Sequence, residues 1–140
     1  MKKVIIDASF VLRALLTPES NIAEVFRNIF KEQKIQKIKI YSTSFLSYEV
    51  ANGLRFSVKN QKIAEEIFSK FNQLEVDCFD LNGQQIKTIL SMSYNFGATV
   101  YDTSYHFLAK LLEGDFYTCD KEYFLKAEKE GNIFLVEYLW

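Results

Sequence analysis

Short apolar β-type runs alternate with stretches of helical periodicity along this chain of 140 residues, and that alternation is its strongest constraint. Val4-Ile5-Ile6 lacks the in/out pattern of a half-exposed strand, as expected of a strand covered on both faces. It stops at Asp7. Ala8 to Leu16 then reads as a helix closed by Thr17-Pro18, and Ser20 is a cap for a second helix bearing Ile22, Val25, Phe26, Ile29 and Phe30. Ile38 to Tyr41 predicts the second strand, with Ser42-Thr43-Ser44 offering caps for a helix carrying Leu46, Val50, Ala51, Leu54 and Val58. A helix with Ile63, Ile67, Phe68 and Phe71 follows Lys59-Asn60. Val76 to Phe79 is a third strand, and Asn82-Gly83 turns into a helix that Gly97 terminates. Asp102 opens a helix with Tyr105, Leu108, Ala109 and Leu112 on one side. Phe116-Tyr117 is a fourth strand, Lys121 to Lys129 a helix, and Ile133 to Val136 a fifth strand. Strands alternating with helices imply right-handed crossovers and a parallel sheet covered on both faces. The expectation is one α/β sandwich domain over residues 1–140.

Charge narrows the function classes. The net charge is −1, without the basic excess of a protein that binds nucleic acid through phosphate contacts alone. Lys31, Lys34, Lys37 and Lys39, and Arg55, Lys59 and Lys62, form local clusters that read equally well as solvated faces. Cys78 and Cys119 stand far apart without a CxxC, which excludes a zinc ribbon and argues against a disulfide scaffold; both read as small buried hydrophobes of a reducing cytoplasm. No leader-like segment opens the sequence and no apolar run nears the ~20 residues of a membrane span. Thirteen Phe and eight Tyr promise a large core and an association patch. Phe26, Phe30, Phe56 and Phe71 are candidates for that patch or for a homodimer contact, although for each taken singly the core is the preferred place.

The acids carry the chemistry. Asp7 follows the first strand and Asp120 the fourth, while Asp102 begins the helix leading into the fourth. Ligands of open α/β sheets bind beyond the carboxyl ends of strands where the order reverses. If strands one and four are neighbours there, Asp7 and Asp120 face one crevice. Glu49, between apolar neighbours in Ser47-Tyr48-Glu49-Val50-Ala51-Asn52, is out of place unless it points into a polar pocket. Singly, Asp7, Asp102 and Asp120 also read as helix N-caps and Glu49 as a surface residue. Jointly they would repel by roughly 3 kcal/mol per pair at ~5 Å and an effective dielectric near 20. A hard divalent cation, Mg²⁺ or Mn²⁺ rather than zinc, is the natural counter-charge. Asn52, three residues after Glu49, shares its helical face and is a candidate to hold that carboxylate.

Four stretches, Val4-Ile5-Ile6-Asp7-Ala8-Ser9, Tyr48-Glu49-Val50-Ala51-Asn52, Tyr101-Asp102-Thr103-Ser104-Tyr105 and Tyr117-Thr118-Cys119-Asp120, resemble in order the stations of the PIN domain, most of all the VapC toxins of toxin–antitoxin pairs. The resemblance spans nearly the whole chain. It implies an α/β/α sandwich around a parallel five-stranded sheet in the order 3-2-1-4-5, and endoribonuclease activity at a Mg²⁺ or Mn²⁺ site. That site would be built from Asp7, Glu49, Asp102 and Asp120, assisted by hydroxyls at Thr118 and Ser9. It further implies a small antitoxin covering apolar helical surface near the site. A housekeeping RNA-processing nuclease and a catalytically silent scaffold are the alternative roles for such a domain. The segment Thr103 to Leu108 departs from the small residues usual there by carrying Tyr105 and His106, the only histidine; a structural role for His106 is preferred to a ligand role. No side chain is an apparent covalent nucleophile. A receiver domain, an Asp-x-Asp phosphatase and an Asp-x-Ser-x-Ser adhesion module are each excluded by a missing partner residue, Ser9 and Val11 standing at the decisive positions of the last two.

Overall fold

Val4, Ile5 and Ile6 are completely buried, as a strand covered on both faces must be, and they lie in the middle of the sheet. The computed structural model describes residues 1–138. Strands β1 (Lys2–Ile6), β2 (Ile38–Thr43), β3 (Asp77–Phe79), β4 (Asp115–Thr118) and β5 (Ile133–Leu135) pair in the order β3-β2-β1-β4-β5. Every pairing is parallel, so the α/β fold and its strand order are as expected. The helices are α1 (Ala8–Leu16), α2 (Asn21–Lys34), α3 (Leu46–Ser57), α4 (Gln61–Asn72), α5 (Gly83–Phe96), α6 (Val100–Leu112) and α7 (Lys121–Ala127). The chain reverses direction across the sheet once, after β3. With right-handed crossovers, α1–α4 cover one face and α5–α7 the other. The switch point falls between β1 and β4, where ligands of such sheets bind.

The local signals explain most boundaries. Ser20, Asn60 and Asn82 cap α2, α4 and α5 through their side chains, Asn82 in a reciprocal capping box with Gln85. Gly97 ends α5 in the left-handed conformation at φ 62°. Ser42 and Thr43, expected to cap α3, instead extend β2, because their backbone groups pair with β3 through Cys78 and Phe79; Phe45 occupies the cap position without a side-chain bond. Thr99, not Asp102, caps α6. The seventh helix stops at Ala127 and tightens into a 3-10 turn.

One apolar cluster runs from Val4 to Val136 and includes Phe10, Phe26 and Phe71. Phe30 packs against its rim, whereas Phe56 is 79% exposed, so only Phe56 of the four candidate phenylalanines remains a surface aromatic. Cys78 is exposed rather than buried because β3 is a three-residue edge strand. Among the described residues no helix is long and apolar enough to cross a membrane.

A candidate acidic active site

Where β1 ends, Asp7 is held from three sides. As N-cap of α1 its Oδ1 accepts from the Phe10 amide at 3.0 Å and from the Ser9 hydroxyl at 2.8 Å, while its Oδ2 accepts from the Thr118 hydroxyl at 2.6 Å. Ser9 and Thr118 oxygens lie 3.2 Å apart. Each hydroxyl has one proton and each aims it at Asp7, so this is a contact between two acceptors, not a further hydrogen bond. Their remaining lone pairs receive the Cys119 and Asp120 amides, both at 3.0 Å. The β4 exit is thereby tied to the β1 exit through Asp7. Asp7 is 5% exposed, and burial, offset only in part by these donors and reinforced by the charge of Asp102, pushes its carboxyl up to about 7.

Glu49 lies half-buried in the first turn of α3, and its Oε1 accepts a short hydrogen bond from the Tyr105 hydroxyl of α6. Burial, then Asp102, raises it above the usual carboxylate range. Asp102 stands in the first turn of α6, its amide bound to Thr99 Oγ1 at 3.1 Å; burial and the charge of Asp120 raise it as well. Asp120 caps α7 by accepting from the Tyr123 amide at 3.0 Å. Capping and a site are therefore compatible for Asp7 and Asp120, and Asp102 is free of that duty.

A cleft of about 640 Å³ is lined by Asp7, Ser9, Glu49, Asn52 and Asp102. Asp120 lines an adjoining hollow of about 310 Å³ with Asp102, which is common to both. Three of the four expected acids thus face one space, and the fourth lines the neighbouring hollow. Among the described residues no three acid, His or Cys side chains are drawn into a ready-made ion cage. A larger groove, about 840 Å³ between α3 and α4, gathers no such cluster; convergence of charge, not size, picks out the smaller cleft. Gly53 closes the cleft floor by allowing α3 against α1, since a Cβ there would fall 2.3 Å from Leu12 Cδ1.

Asn52 lines the cleft, but the group bonded to Glu49 is Tyr105. Sequence reasoning missed that partner; its signal was an unexpected tyrosine three residues after Asp102. Thr43, completely buried beside Tyr105, is the one buried hydroxyl among the described residues without a hydrogen-bond partner. His106 is also completely buried: its Nε2 lies 2.7 Å from the Gly131 carbonyl and its Nδ1 2.9 Å from the Tyr123 hydroxyl. The carbonyl can only accept, so Nε2 carries the proton and Tyr123 donates to Nδ1. A histidine satisfied in this way ties α6 to α7 and has no lone pair left for a metal. Cys119 has its thiol pushed up to about 12 by burial and the nearby Asp7, which rules out a ready thiolate.

No family model matches this sequence, and no curated protein matches it. Solved structures match the fold. PAE2754 from Pyrobaculum aerophilum aligns at a TM-score of 0.68 over 99% of this chain and 93% of its own, with 21% identity. VapBC2 from Rickettsia felis, crystallised bound to a DNA fragment from their promoter, aligns at 0.66 over 94% and 96%, with 12% identity. VapC20 of Mycobacterium tuberculosis, a sarcin–ricin loop cleaving toxin, aligns at 0.65 over 91% and 95%, with 9% identity. The fold is the one that the resemblance to VapC-like PIN domains implies.

Proposed function

We propose that this protein is a Mg²⁺- or Mn²⁺-dependent endoribonuclease, the toxin of a toxin–antitoxin pair acting in the cytoplasm. The observation that carries the reading is the convergence of Asp7, Glu49 and Asp102 on one cleft at the switch point of the sheet, with Asp120 beside them. The donor set suits the ion. It consists of carboxylate and hydroxyl oxygens, and Mg²⁺ commonly binds through one or two carboxylates while keeping several waters, so a closed protein cage is not required. The carboxyls of Asp7, Glu49 and Asp102 are raised first by burial and then by a neighbouring carboxylate, and a cation in that space would offset both.

Asp7, Asp102 and Asp120 would hold the metal, and Glu49 would do so directly or through water. The ion supplies Lewis-acid chemistry: it acidifies water and neutralises phosphate oxygens. Ser9 and Thr118 fix the rotamer of Asp7, so that its carboxylate is already oriented when the ion arrives. Glu49, raised toward neutrality by burial and steadied by Tyr105, is suited to accept the proton of the attacking water. A small antitoxin is the proposed partner, with the groove between α3 and α4, where Leu54, Val58 and Phe68 stand among Arg55, Lys59 and Glu65, as helical surface it would cover. The exposed Phe56 supports self-association as a homodimer. A silent scaffold is the second reading.

Cleavage of total RNA with Mn²⁺, with EDTA, and with Asp7→Asn and Asp102→Asn separates the two. The nuclease reading expects cleavage only by the wild type with metal. A folded wild-type protein that cuts no RNA favours the scaffold. Expression alone should arrest bacterial growth, with Asp7→Asn relieving the arrest.

A further inference from the structure

Phe45 and Tyr101 line the acidic cleft on one side and a second, more apolar pocket of about 320 Å³ on the other. The two rings meet edge to face at 5.2 Å and form a common wall. Phe79 and Leu81 from the exit of β3, Ile86 of α5 and Val100 of α6 complete the pocket's apolar lining. Tyr101 and Ile86 are 58% and 46% exposed, so packing does not account for them. Asp80 also lines this pocket. Its Oδ1 accepts from the Ser44 hydroxyl at 3.1 Å, and the Ser44 amide is itself bonded to the Phe79 carbonyl at 2.9 Å. The carboxylate is thus positioned by two strand ends and is exposed to solvent, open to a ligand's donors.

We propose that this pocket is a nucleobase subsite of the nuclease site, selecting guanine in single-stranded RNA next to the phosphate held at the acids. The inference rests on the nuclease reading above and adds the base. Aromatic and aliphatic walls accept the face of any unstacked base, and the volume falls within the range of small-ligand sites, about 300–1,000 Å³. Asp80 decides what enters: its charge repels a phosphate and requires donors. Guanine alone presents two adjacent donors, N1–H and the N2 amino group, to which a carboxylate binds with both oxygens. Adenine and cytosine offer a single amino group, uracil a single imide N–H. An apolar side chain of a protein partner would leave Asp80 desolvated and without a donor. Because the wall is shared, a strand threaded through the acidic cleft brings a neighbouring base to the pocket without a turn of the protein.

The test is an NMR titration of the full chain with GMP, AMP, CMP and UMP in EDTA, where no turnover occurs. The expected result is GMP-dependent shifts of Phe45, Phe79 and Tyr101 resonances, with GMP about tenfold tighter than the others, the size of one well-made base contact. Asp80→Asn should abolish the preference, and Tyr101→Ala, an exposed position, should weaken all four nucleotides. Equal affinities, shifts confined to another surface, or a guanine preference surviving Asp80→Asn would overturn the proposal. A pocket used by an apolar segment of a protein partner would give the first of these. Metal-dependent cleavage with no base bound here defeats the subsite alone. Guanine binding here by a protein that cuts no RNA defeats the nuclease reading alone.

Discussion

The Thr118 hydroxyl donates to Oδ2 of Asp7 across 2.6 Å, joining the exits of β4 and β1 at the point where the sheet order reverses. Thr118 also accepts the Asp120 amide at 3.0 Å, so one buried hydroxyl sets the positions of two acids. Thr118→Val should cost about 1–3 kcal/mol, because it orphans a buried acceptor and a backbone donor while keeping the volume. Thr118→Ser should recover most of that loss. Denaturant unfolding of the three proteins is the check, and equal stabilities of wild type and Thr118→Val would contradict the arrangement.

Asp7 sets a pH dependence of definite sign. Its folded-state carboxyl is pushed from 3.8 up to about 7. Between those values the folded protein keeps a proton that the unfolded chain releases. Stability from this group therefore falls as pH rises from roughly 4 to 7 and is flat above, by at most about 4 kcal/mol. Asp7→Asn removes that slope and still caps α1. In metal-free buffer at pH 8 the variant should melt higher than wild type by a few degrees, at about 3 °C per kcal/mol. Mn²⁺ should raise the wild-type melting temperature and leave the variant's nearly unchanged. A variant that loses stability between pH 4 and 7 as steeply as wild type would show that Asp7 is not strained by burial.

Tyr105→Phe keeps the ring that stacks on Phe116 at 6.0 Å and meets Phe45 at 5.3 Å, and removes only the donor to Glu49. The expected stability change is under about 1.5 kcal/mol. Under the proposed function, RNA cleavage should fall about tenfold, less than the roughly hundredfold or more of a positioned acid or base itself, because Glu49 remains. The pH profile should shift upward at the same time, because the Tyr105 hydroxyl favours the Glu49 carboxylate and its loss raises that carboxyl further. Unchanged cleavage and profile would remove Tyr105 from any positioning role.

Strand and helix identities were legible because β-branched runs and caps such as Ser20, Asn60 and Asn82 act locally. Asp7 and Asp120 were legible for the same reason, as acids at strand exits. The errors were those of competing partners. Ser42 and Thr43 have side chains that cap helices, yet their backbones were claimed by β3, a strand too short to announce its register. Asp102 was read as a cap because the earlier Thr99 was overlooked. The Tyr105–Glu49 bond joins residues 56 apart on two helices, and no periodicity encodes such a meeting. Residue type alone points to a buried Cys78; the sheet order, which leaves β3 at the edge, decides otherwise.

His106 provides a control separate from the acids. Burial lowers it from 6.5, so below that pH the unfolded chain binds a proton that the folded one resists, and stability falls as the solution is acidified. His106→Ala should cost about 2–4 kcal/mol through the cavity and the orphaned Gly131 and Tyr123 groups, and should flatten that acid limb. The melting shift produced by Mn²⁺ should persist. Loss of that shift in a folded His106→Ala protein would return the histidine to the metal site.

The central claim is that the acids cut RNA with metal-activated water, and the chemistry of the cut ends tests it most directly. Purified protein is incubated with total RNA and Mn²⁺, and the new termini are mapped and typed. The account predicts few cuts, in single-stranded loops where bases are free to stack, each leaving a 5′-phosphate downstream because the 2′-hydroxyl is not the nucleophile. EDTA or Asp7→Asn should abolish them. Termini bearing a 2′,3′-cyclic phosphate, or cutting that persists in EDTA, would contradict it.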